Sequence, residues 1–291
     1  MNERTEKKFP KEYLIPAILL FINILIWAFY ISQKESDILK VTFLSIGQGD
    51  SIFVEAPNGR QMLIDTGRDT AVLNELGKVM GFFDRSIDVL LVTHPDQDHI
   101  GGTPGILENY RVLNFVDSFA ETDSGTYDEM NRKVITEDAE YFVGVRGMVI
   151  TLDEENGVYF HILHPEPDEL KVTETNDLSI IGKLVYGDTS FLLTGDAGKI
   201  QELMLTSTDK EYLKSSVLKA GHHGSKTSSS SSFVKMVDPA YAVISAGEDN
   251  SYGHPHDVVI NTFQKEGVKI LSTIEEGTIT FESNGMDVWL K

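Results

Sequence analysis

Six residues, His94-Pro95-Asp96-Gln97-Asp98-His99, bring two imidazoles and two carboxylates together directly after the apolar run Val89-Leu90-Leu91-Val92-Thr93. A run of that kind reads as a buried strand, so the cluster sits on the loop at its C-terminal end. Imidazoles and carboxylates so spaced are what zinc or manganese takes as ligands. Four such groups exceed the needs of one ion and point to two. A polar loop that only caps the following helix would need one histidine, not the pair.

Two further strands end in groups of the same kind. Phe191-Leu192-Leu193-Thr194 runs into Gly195-Asp196-Ala197, and a carboxylate at the tip of a buried strand is costly unless paired or bound to a cation. Capping a helix that starts near Lys199 is the competing use of Asp196. A third strand leads to Gly221-His222-His223-Gly224-Ser225-Lys226. Side chains alternate along an extended chain, so only one of these histidines should face a site. We take His222 as the ligand and His223 as the one that packs or hydrogen-bonds.

These groups need a frame of short strands. The pattern predicts strands over 40–45, 50–55, 61–65 and 89–93, with a helix over 70–80 between the last two. Later strands fall over 148–151, 158–163, 179–186, 190–194, 217–220, 241–245, 269–272, 278–283 and 287–290, and helices over 199–205, 230–237 and 257–266. The segment 121–170 is less regular, the acidic stretch 168–177 reads as an exposed loop, and serines 228–232 read as a loop and helix cap. Two strand-rich halves, each gaining helices, suit two packed sheets with helices outside.

At 291 residues the chain has ample length for a core, and it has no cysteine. Thiolate metal sites, disulfides and cysteine nucleophiles are therefore excluded. Twenty-five basic against 45 acidic residues leave a net charge of -20. Such a surface repels nucleic acid unless metals or a local basic patch reverse the field.

Residues 13–33 carry no charge. At about 1.5 Å per residue they would span roughly 30 Å, the thickness of a bilayer core. Arg4, Lys7, Lys8 and Lys11 precede them, which places the N-terminus inside and the rest outside. The expected organisation is a basic cytoplasmic tail over 1–12, a retained transmembrane anchor over 13–33, a linker over 34–39 and a hydrolase domain over 40–291. Residues 29–33 lack the small-residue site of a cleaved signal peptide.

Asp65-Thr66-Gly67, the His94–His99 cluster, Asp196 and His222 together resemble the ordered motifs of the metallo-β-lactamase superfamily. More narrowly, Phe43 through Ser51, Thr93 through Gly102, Leu193-Thr194-Gly195-Asp196, His222 through Ser229 and Tyr252-Gly253-His254-Pro255-His256 resemble the extracellular domain of ComEC-type DNA-uptake proteins. The resemblance implies an αββα sandwich, here preceded by the single N-terminal helix, with a two-metal site at one edge. One zinc or manganese ion would take His94 and Asp96, the other Asp98, His99 and His222, with Asp196 bridging and Asp65 orienting a ligand histidine. Two departures weaken the first ion's hold. Asp96 stands where the superfamily usually has histidine, and Asn176 where it places another, leaving His164 as the nearest substitute.

Two divalent ions suit phosphodiester hydrolysis, because they acidify water, hold the phosphate and offset its developing charge. Asp98, Ser225, Lys226 and His254 are the catalytic candidates. Ser225 and Lys226 would meet a phosphate oxygen, and His254, on its Gly253-His254-Pro255 turn, would protonate the leaving alkoxide. The expectation is a membrane-anchored extracytoplasmic nuclease acting on DNA, beside a separate uptake channel, since only one hydrophobic segment is present. The alternatives are a hydrolase of wall-polymer or nucleotide phosphodiesters, or of β-lactams or esters, on the same scaffold.

Overall fold

The computed structural model describes residues 13–32, 37–167 and 174–291, with the backbone alone for 28–32. The chain divides into two compact units, Met1–Ser36 and Asp37–Lys291. The first holds the helix Leu14–Ser32, whose large apolar side chains are exposed from Leu14 to Trp27. Among the described residues no helix is long and apolar enough to cross a membrane. The structure thus gives a helix where the anchor was expected. The basic tail over 1–12 and the first part of the linker lie outside the described residues.

In the second unit two mixed sheets pack face to face. The eight-stranded sheet runs Val288–Leu290, Ile279–Ser283, Leu39–Phe43, Ile52–Glu55, Gln61–Ile64, Ser86–Val92, Arg111–Asp117, Glu140–Val143. The seven-stranded sheet runs Lys269–Ser272, Tyr241–Ile244, Val217–Lys219, Thr189–Leu193, Ile181–Tyr186, Val158–His164, Val149–Asp153. The last four strands of the first sheet and the first four of the second are parallel.

Alternation along the strands builds the layers. Val89 and Leu91 point between the sheets, where they join Phe43, Phe160 and Phe191. Leu90 and Val92 point the other way, onto Val72, Leu76 and Ile106 of the helices Ala71–Val79 and Thr103–Asn109. A strand covered on both faces needs an unbroken apolar run. Leu192 does the same on the second sheet, packing with Phe233, Val259 and Phe263 of the helices Ser231–Val237 and Asp257–Lys265. Each such burial contributes about 1.5–3 kcal/mol.

Elements that were not expected include, among the described residues, the helices Thr103–Asn109 and Gly125–Glu137 and the strands Arg111–Asp117 and Glu140–Val143. Part of the supposed loop 168–177 lies outside the described residues; its end is a 3-10 turn, Thr175–Leu178, with Leu178 buried. The serine run does not cap its helix through a serine side chain. The Glu202 carboxylate instead takes the N–H groups of Ser229 and, at 2.8 Å, Ser230.

Candidate metal centre

The chemistry gathers where parallel strands of both sheets end, the usual place for a ligand in such sheets. Gln61–Ile64 delivers Asp65, Ser86–Val92 delivers His94, Thr189–Leu193 delivers Asp196, and Val217–Lys219 delivers His222 and His223. The Ile180 N–H donates to the Thr93 carbonyl at 2.9 Å, joining the two sheets beside the cluster.

Each of three imidazoles uses Nδ1 on the protein and turns Nε2 inward. His99 Nδ1 donates to Asp65 Oδ2 at 2.8 Å, and Asp65 is itself held by the Thr93 N–H and hydroxyl, each at 2.7 Å. His223 Nδ1 donates to the Ser245 carbonyl at 2.9 Å. His94 Nδ1 meets the hydroxyls of Thr93 at 3.1 Å and Ser179 at 3.2 Å. The three Nε2 atoms converge on Asp196: 3.3 Å from His99, 3.4 Å from His223 and 4.0 Å from His94.

All three Nε2 atoms, and Asp196 Oδ1, are buried without a hydrogen-bond partner. Buried polar atoms left so are rare and costly, and inward lone pairs behind engaged Nδ1 atoms are how metal-binding histidines are set. Ligand atoms of His94, His99 and Asp196 lie within 4.8 Å of one another, as do those of Asp98, His99 and His223. The residues therefore fit divalent ions.

Charge points the same way. Asp50 and Asp196 share the buried Lys219 ammonium, Asp196 at 3.8 Å, while Asp65 lies against His99 and Asp98 against His223. Burial works against charge on His99 and His223, yet Asp196 with Asp65 or Asp50 outweighs it and holds both imidazoles well above the usual histidine range. Burial and the neighbouring His99 instead bring His94 down to about 4. The cluster draws in positive charge.

The adjacent histidines correct a sequence expectation. Both face Asp196, with His222 Nε2 at 3.6 Å and His223 Nε2 at 3.4 Å from Oδ2. Alternation assumed an extended chain, but His222 and His223 take φ of 47° and 54°, so the backbone coils and presents both rings. Such left-handed residues cost about 1–3 kcal/mol each and gather at functional sites. Asp196 does not cap the helix Lys199–Thr208; Gly198 and the Gln201 side chain do.

Asp96 lies at the rim, 3.8 Å from His94 Nε2 and held by the Thr175 hydroxyl at 2.6 Å. Asn176 buries an Oδ1 without a partner, whereas His164 spends Nε2 on the Asp177 carbonyl at 2.7 Å and joins no metal-capable group among the described residues. Ser225 accepts from the Thr227 hydroxyl at 2.9 Å, and the Lys226 side chain is exposed. Burial, then the adjacent His223 and His222, press the His254 ring down to about 4, so it is neutral near pH 7. Sequence reasoning assigned no role to Asp50 or Lys219, although Gly49-Asp50-Ser51 stood among the quoted motifs.

Two facing sheets with a histidine–aspartate cluster at one edge define a metal-dependent hydrolase fold, and residues 44–248 match the family model of the metallo-β-lactamase superfamily. The chain belongs to that superfamily. It is 34% identical over 265 residues to ComE operon protein 3 of Bacillus subtilis, covering 83% of this chain and 33% of that protein. Competence protein ComA of Neisseria gonorrhoeae is 32% identical over 248 residues, covering 83% and 32%. The chain thus spans about a third of the length of these curated relatives. The crystal structure of the metallo-β-lactamase fold protein YhfI from Bacillus subtilis superposes with a TM-score of 0.54 at 13% identity, covering 85% of this chain and 100% of that one.

Proposed function

We propose that the chain is a divalent-metal phosphodiesterase that cleaves DNA outside the cytoplasm, held to the membrane through residues 13–33. The convergence of three buried Nε2 atoms on Asp196, beside the Ser225-Lys226 turn, carries the reading. His94, Asp96 and His222 would hold one ion, Asp98, His99 and His223 the other, with Asp196 shared. His222 then stands in for the histidine missing at Asn176. This mixed nitrogen and oxygen set suits zinc or manganese. When bound, the ions would acidify water and offset negative charge growing on the phosphate.

The protein's own groups do the rest. Lys226 meets a phosphate oxygen with its ammonium, Ser225 offers a hydroxyl from the same turn, and His254 lies against the leaving oxygen. The Neisseria gonorrhoeae relative is named a competence protein, which favours DNA, and a separate channel protein would pass the strand to the site. The charge of -20 opposes a polyanion; the ions, with Lys226 and Lys199, reverse the field locally. The apolar, exposed side chains of Leu14 to Trp27 support the anchor. A gel assay with single-stranded DNA and Mn²⁺ or Zn²⁺ tests the activity. Shortened strands are expected with the metal, and full-length strands where a chelator is present from the start; intact DNA under every metal would overturn it.

A further inference from the structure

Three aromatic rings lead from Asp196 to the surface. The His222 ring lies 5.6 Å from that of His254, and Tyr252 lies 5.6 Å beyond His254 with its plane only 21° away. His254 is 8% exposed and Tyr252 61%. Asn250 fixes the loop between them: its Oδ1 accepts the His254 N–H at 2.9 Å, and its Nδ2 donates to the carbonyls of Gly247 and His254, each at 2.7 Å. Gly247 packs so closely on Gln48 that a Cβ there would come within 2.7 Å of the Gln48 nitrogen. One residue on, Gly49 lies against the Asp98 carbonyl. The loop that carries Tyr252 thus packs beside the backbone of a candidate ligand, while most of the Tyr252 surface stays open to solvent.

A lone exposed tyrosine needs no explanation. One laid nearly parallel on a buried imidazole, and tied to the metal centre, has the form of a base-stacking platform. We propose that Tyr252 stacks on a nucleobase beside the scissile phosphodiester and that the substrate is therefore single-stranded. The inference rests on the phosphodiesterase reading and adds the recognition element. A base inside a duplex is already stacked and cannot offer its face. Every base has such a face, so recognition is tolerant of sequence.

The test uses the full chain with two fluorescein-labelled decamers, decathymidylate and an abasic deoxyribose phosphate chain, both with phosphorothioate linkages that resist cleavage. Anisotropy in Mn²⁺ should show about tenfold tighter binding of the base-bearing decamer, as one stacked base provides. Tyr252→Leu should abolish that preference and Tyr252→Phe, which keeps the ring, should retain it. Equal binding of the two decamers by the wild type, or an unchanged preference in Tyr252→Leu, overturns the platform. Unmodified decathymidylate is assayed for cleavage in parallel. A chain that prefers the base-bearing decamer through Tyr252 yet leaves unmodified decathymidylate intact would sink the phosphodiesterase reading and leave the platform standing.

Discussion

Lys219 and Asp50 form an ion pair behind the metal-binding face, with side chains 0% and 2% exposed. The ammonium also donates to the Gly195 carbonyl at 3.0 Å and lies 3.8 Å from Asp196, while Asp50 meets His223 Nδ1 at 3.4 Å. Burial resists a charge on Asp50, but Lys219 and then His223 overcome it and bring its pKa to about 2. Removing one partner strands a buried charge, at a cost of about 3–5 kcal/mol. Lys219→Met should lose that much in urea unfolding, and adding Asp50→Asn should recover more than half. A single variant within 1 kcal/mol of wild type would show that the pair is not structural.

Asp196 tests the shared-carboxylate arrangement. Metal analysis of the protein should find close to two divalent ions, and Asp196→Ala should weaken both by tenfold or more in titration calorimetry. One ion, unaffected by that change, would leave a mononuclear site.

Lys226 and His254 separate binding from fold. Lys226→Ala removes a charge-assisted contact worth about 1.5–3 kcal/mol, so DNA turnover should fall by roughly one to two orders of magnitude with metal content and Tm unchanged. His254→Ala tests the acid role that the sequence suggested: a ring neutral near pH 7 is a poor proton donor, so the losses on DNA and on bis-p-nitrophenyl phosphate, whose leaving group departs without a proton, should be similar. A much larger loss on DNA would make His254 the acid.

Asp117 gives the pH prediction. Burial raises its carboxyl above the ordinary range, against the N–H of Phe119 and the Tyr141 hydroxyl, which both donate to Oδ1. A raised folded pKa means stability fully present below the unfolded value and lost as pH rises through the folded one. Asp117→Asn keeps that acceptor without the charge, so its Tm should exceed wild type at pH 7 and converge with it near pH 4. A constant difference across that range would refute the assignment.

The proposed anchor over residues 13–33 predicts an outward-facing domain. Protease treatment of intact cells should release it and spare the anchor. Protection until lysis would reverse the orientation.

What could be read in advance was local in sequence. His94, Asp98 and His99 fall within one loop, and Asp196 ends a run of apolar residues that marks its own strand. Asp50 and Lys219 meet only because strands of two different sheets end together, and no spacing records that. Both histidines at 222 and 223 face the site through left-handed backbone, which alternation cannot foresee. The helix Gly125–Glu137 buries only Met130 and Val134, too thin a stripe to stand out. In Arg111–Asp117, half-buried Asn114 interrupts the apolar pattern because its side chain donates to the Asp88 carbonyl at 2.8 Å.

The junction at Thr93 and Ile180 carries one more consequence. His94, Asp98 and His99 come from one sheet's loops, and Asp196, His222 and His223 from the other's. An ion gripped by both acts as a rivet through the sandwich, so affinity for metal and cohesion between the sheets become one quantity seen from two sides. Were the proposed ions bound, a chelator would loosen the sandwich as well as empty the site.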